Sequence, residues 1–105
     1  MICNQKLNKN LDALGFREST TGTDYIRAGV AIVEAQRSAM MCKDVYPTLA
    51  KAAGTTPGRV ERAIRTAIDT AMRSPMWEEA WREMGGWGHP TNSEMLRRLA
   101  RESAV

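Results

Sequence analysis

A chain of 105 residues, 43% hydrophobic and 26% charged, has the size and composition of one globular domain that can bury a single modest core. Its formal net charge of +3 and pI near 9.2 permit nucleic-acid binding without requiring it, because what matters is where positive charge clusters. Cys3 and Cys42 lack the number and spacing of a disulfide framework or zinc site, no apolar run approaches a membrane span, and no signal peptide is visible, so a cytoplasmic chain with reduced thiols and no membrane contact is expected.

Leu7, Leu11 and Leu14 recur at helical spacing and stop at Gly15, which predicts a short first helix. Residues 16–23 contain Ser, Gly and three Thr and read as a loop, with Thr23 or Asp24 capping the next helix. That longer second helix is expected over residues 25–41, with Ile26, Val30, Val33, Ala39 and Met40 as its apolar positions. Gly29 either weakens that helix or lets another approach closely. Asp44 is placed as the cap of a third helix, Pro47 falls in its first turn, and Tyr46 and Leu49 face the core. Strand-type alternation is almost absent, so the expected fold is all-α, a compact bundle of about six helices.

Two helical patterns meet at Gly54, and the stretch 44–73 has the outline of a helix-turn-helix. Such a motif needs a small residue where the helices cross, a residue free to take positive φ in the turn, and a branched apolar anchor on the second helix. Ala50, Gly54 and Val60 supply these in order. Thr56 can cap the second helix and Pro57 occupies its first turn without losing a needed donor. Over about 57–73, Val60, Ala63, Ile64, Ala67, Ile68 and Ala71 form a buried face. Arg59, Arg62, Arg65, Thr66 and Asp69 are left outside, with Glu61 on the shoulder. Guanidinium forks in this position suit a guanine edge or a phosphate, whereas the bland alternative is a solvated basic face.

Ser74-Pro75 starts a fifth helix on which Trp77, Ala80, Trp81 and Met84 share a face. With no basic residues interleaved, that face reads as core rather than a platform for stacked bases. Residues 85–90 are a turn-rich connection, and Thr91 with Glu94 forms a capping box for a last helix. That helix turns Met95, Leu96, Leu99 and Ala100 inward and leaves Arg97, Arg98 and Arg101 outside. His89 has no paired carboxylate or nucleophile in recognisable spacing, and no phosphate-binding glycine loop or HExxH is present. No enzyme activity, cofactor or metal site is therefore expected.

The run T-T-P-G-R-V-E-R-A-I-R-T-A-I-D, with V-Y-P-T-L-A-K before it and P-T-N-S-E-M-L after it, resembles the C-terminal DNA-binding domain of the sporulation-initiation response regulator. The resemblance implies a transcription regulator that binds short double-stranded DNA boxes of the TGTCGAA type. It further implies a second copy head-to-tail on DNA, and RNA polymerase or a full-length relative as partners. On this likeness Arg59 and Glu61 stand where base edges are read. Arg62 and Arg65 are candidates for base or phosphate contact, Thr55, Thr56 and Lys51 lie near the backbone, and the last helix lies near the DNA and a neighbouring copy. Gly58 stands where the family usually has Ser, Thr66 where it often has His, and Met84 where it has an aromatic; the connection 85–90 is shorter than the family's. These departures give weight to a runner-up, a small helical interaction module that binds or antagonises another regulator without reading DNA. The family's protein also has an N-terminal receiver domain phosphorylated on Asp. This chain opens at Met1 a few residues before its first helix, so DNA binding without that switch, in competition with a full-length relative, is expected.

Overall fold

A computed structural model describes residues 5–17 and 20–103 as six α-helices and one π-helical turn, with no strand among the described residues. The reading of Cys3 lies outside them. Leu7, Leu11 and Leu14 are buried along α1 (Gln5–Leu14), which ends at Gly15 with φ +94°. The next helix, α2 (Thr21–Ala35), starts earlier than the Thr- and Gly-rich composition of residues 16–23 suggests. Thr20, not Thr23 or Asp24, is its cap; the Thr20 hydroxyl accepts from the Thr23 N–H at 3.3 Å. Thr23 is itself inside the helix and almost fully buried, its hydroxyl 2.7 Å from that of Thr20.

The second helix also ends sooner than its apolar spacing predicts. Gln36 is extended at φ −144°, so Ala39 and Met40 belong to the connection between α2 and the next element rather than to α2. Ala39 is buried there while Met40 is 53% exposed. A side chain distant in sequence holds this segment: Arg97 donates to the carbonyls of Arg37 at 2.9 Å and Ala39 at 2.6 Å, and its Nε to Ser93 Oγ.

A π-helical turn, Met41–Val45, leads directly into α3 (Tyr46–Ala53). Asp44 therefore does not cap α3. It lies within the π turn and its carboxylate accepts from the Met40 N–H at 2.7 Å, so it closes the start of that turn instead. Pro47 does sit in the first turn of α3, where its missing N–H costs nothing.

The remaining elements are α4 (Pro57–Ala71), α5 (Trp77–Glu83) and α6 (Asn92–Glu102). At the centre, α2 packs on α3, α4 and α6, while α1 is closed over by α5 and α6. At Gly22 the helices α2 and α4 come close: a Cβ there would collide with the Ala63 carbonyl oxygen and lie 2.8 Å from Ala67 Cβ. Only hydrogen at this position lets the first turn of α2 rest on the middle of α4. Trp77 and Trp81 are buried and stack with centroids 5.5 Å apart, and Phe16 meets Trp77 edge-on at 6.3 Å. The tryptophan face is thus core, as its one-sided spacing predicts.

Candidate nucleic-acid interface

The junction between α3 and α4 is built by local chemistry. Gly54 adopts φ +68° and ψ 37°, and both its own N–H and that of Thr55 reach the Ala50 carbonyl. A Cβ on Gly54 would meet nothing within 4 Å, so glycine is favoured here by backbone conformation rather than space. Thr56 is extended and its hydroxyl accepts from the Arg59 N–H at 3.3 Å, a cap that contributes about 1 kcal/mol. Pro57 comes next as the first helical residue. Val60, Ile64, Ile68 and Ala71 are buried, with Ala63 and Ala67 half-buried beside them, so one face of α4 is fixed in the core.

The opposite face is open. Gly58, Arg59, Arg62, Arg65, Thr66 and Asp69 are exposed, and Glu61 is half-buried on the shoulder. Thr56 is exposed and Thr55 half-buried in the turn, while Lys51 is exposed in the last turn of α3. Arg59 and Arg62 make no ion pair or side-chain hydrogen bond with any described residue, so their guanidinium groups carry undischarged donors into solvent. Arg65 differs: it pairs with Glu61 at 3.0 Å, one turn back. That pair is exposed and contributes roughly 0.3–0.5 kcal/mol, little enough to be exchanged for contact with a ligand.

Two grooves flank α4. On one side a groove of about 370 Å³ brings Arg59, Arg62 and Thr66 together with Arg17, Thr20 and Thr23. On the other, a groove of about 650 Å³ gathers Gly58, Glu61 and Arg65 with Tyr46 and the start of α6. Asn92 fixes this second side, its amide donating to the Glu61 carbonyl at 3.0 Å and to the Tyr46 hydroxyl at 3.1 Å. Burial pushes the Tyr46 hydroxyl above the ordinary tyrosine range, partly countered by that bond, so it remains a neutral acceptor near pH 7. His89 has a structural place here, with Nε2 3.0 Å from Asp69 Oδ1 and Nδ1 3.0 Å from the Pro90 carbonyl oxygen. It ties the connection before α6 to the exposed side of α4.

The sequence therefore marked the arginines of α4 and missed their surroundings. Arg17 sits in a segment read as loop and reaches the groove only because Gly22 seats α2 on α4. Asn92 was visible as part of a capping box, which is present, but its second role spans 31 residues to Glu61 and has no local signal. Among the described residues no group of three His, Cys, Asp or Glu side chains converges in a way that could hold a metal, and no helix is long and apolar enough to cross a membrane.

The residues between the first buried leucine of α1 and the end of α6 also match a known family as one block. The family model described as Sporulation initiation factor Spo0A C terminal matches residues 7–102.

Proposed function

The chain belongs to the family of sporulation initiation factor Spo0A C-terminal domains, DNA-binding effector domains of transcription regulation, and we propose that residues 1–105 act as one sequence-specific reader of double-stranded DNA. The recognition helix is α4, the α-helical part of the stretch 57–73. The observation that carries this is the pair Arg59 and Arg62, exposed and without an ion pair among the described residues, on a helix whose other face is locked into the core.

A helix of 15 residues is about 22 Å long and 10–12 Å across with its side chains, dimensions that suit a major groove about 12 Å wide. With α4 in that groove, Arg59 addresses a guanine edge through its fork and Glu61 accepts from cytosine N4. Arg65 holds the Glu61 carboxylate from one turn on, at 3.0 Å, and Arg62 beside it takes a base or a phosphate. Gly58 offers open space for backbone approach, Thr66 borders the same face, and Thr55, Thr56 and Lys51 meet phosphates, which position without carrying base identity.

The test is selection of bound sequences from random duplex DNA, then titration of the recovered duplex against its scrambled counterpart. A clear preference at moderate salt is expected. Equal affinity for the two would remove base reading and leave the interaction-module reading in its place.

A further inference from the structure

Beyond the recognition helix, the α4 groove contains a cation that its own element does not explain. Arg17 lies in the connection between α1 and α2, more than forty residues before Arg59, yet both line the same groove of about 370 Å³. Two contacts support this placement. Gly22 allows the first turn of α2 to touch Ala63 and Ala67, and the Thr20 hydroxyl donates to the Arg17 carbonyl at 3.3 Å, tying the residue back to the helix it precedes. The Arg17 side chain is exposed and forms no ion pair with a described residue.

Position decides what such a cation would meet. A helix lying in the major groove nearly fills its width, so an element packed against the flank of that helix faces the sugar-phosphate ridge and not the base edges. Arg17 stands on the flank marked by Arg59, Arg62 and Thr66. We propose that Arg17 is a DNA-contacting residue that grips a backbone phosphate beside the recognition helix, so that binding uses the α1–α2 connection as well as the helix-turn-helix. This rests on the proposed engagement of duplex DNA by α4. A guanidinium fork matches two phosphate oxygens, and the contact fixes the roll of α4 in the groove without specifying sequence.

The experiment compares wild type with Arg17→Ala and Arg17→Lys on the selected duplex and on its scrambled counterpart across a salt series. One phosphate contact adds about 0.9 to the slope of log K against log salt, which corresponds to roughly eightfold in affinity near 0.1 M salt relative to 1 M. Arg17→Ala should lose about that slope and weaken both duplexes alike, while Arg17→Lys keeps the slope. A duplex in which single phosphates are replaced by neutral methylphosphonates should contain one position that weakens wild type but not Arg17→Ala. Matching thermal melting curves would show that the exposed substitution leaves the fold intact. An unchanged slope, or a loss confined to the selected duplex, overturns the proposal. If wild type binds both duplexes equally, base reading by α4 fails while the slope at Arg17 still decides the clamp; if it binds neither, both fall.

Discussion

Arg59 and Lys51 are both exposed cations near the turn, but their attachment differs. The backbone N–H of Arg59 is held by the Thr56 cap, so its side chain leaves α4 from a defined point in the first turn, whereas Lys51 projects from the last turn of α3 on a flexible stem. A fixed origin and a planar fork suit a base edge. A flexible point charge suits a phosphate. Arg59→Ala is expected to cost about 1–3 kcal/mol on the preferred duplex and to relax preference at one base pair. Lys51→Ala should weaken all duplexes by a common factor. Titration of a panel of single-base-pair variants separates the two patterns, and an Arg59→Ala loss that is equal across the panel would move that residue to the backbone set. Glu61 behaves differently again, since Arg65 at 3.0 Å already orients its carboxylate in the free protein.

At the scale of elements, two glycines set the interface for different reasons. Gly54 has open space but positive φ, and Gly22 is helical but has no space. Gly54→Ala should therefore cost about 1 kcal/mol through backbone strain alone. Gly22→Ala should cost about 1–3 kcal/mol through overpacking, and should lift Arg17 away from Arg59 as well. Urea unfolding of both variants, with DNA affinity measured alongside, tests this; a Gly22→Ala chain with wild-type stability would mean that the α2–α4 contact is looser than its geometry. The same contrast explains what was legible in the sequence. Thr56 and Pro57 before α4 and Thr91 with Glu94 at α6 made those starts readable, whereas Asp44 closes the π turn instead of capping α3, and α5 starts at Trp77 rather than at Ser74-Pro75. Both ends of α2 were misread, the start although its Thr20 cap is local and the end because its cause is distant. Gly22 reads as loop composition until Ala63 comes to rest on it, and the helical spacing that runs on to Ala39 and Met40 is interrupted where Arg97 holds the Arg37 and Ala39 carbonyls. The exposed face of α4 was legible from its helical period, whereas Arg17 and Asn92 act across contacts distant in sequence that leave no local signal.

For the whole molecule, the small net charge of +3 understates the interface, because Arg17, Arg59, Arg62 and Arg65 all line grooves flanking one helix. The head-to-tail pairing that the family likeness implies is heterologous, so it places two different faces in contact and does not close on itself. Its strength without DNA is limited by what the surface can bury. Among the described residues the large apolar side chains that stand exposed are Met40, Met76 and Trp87, the last at 83%. Burying each would contribute at most about 1.5–3 kcal/mol, against an association cost of roughly 4–15 kcal/mol. Adjacent DNA sites change the balance by raising the effective concentration of the second copy toward the millimolar range. The free chain is therefore expected to sediment as a monomer at tens of micromolar (a range in which weak pairing stays dissociated), yet to fill two adjacent sites cooperatively. Lengthening the spacer between the sites should abolish the cooperativity without changing affinity for either site alone. A stable dimer without DNA, accompanied by a blue shift of tryptophan emission as Trp87 leaves water, would contradict this account and point to an interface centred on the connection between α5 and α6.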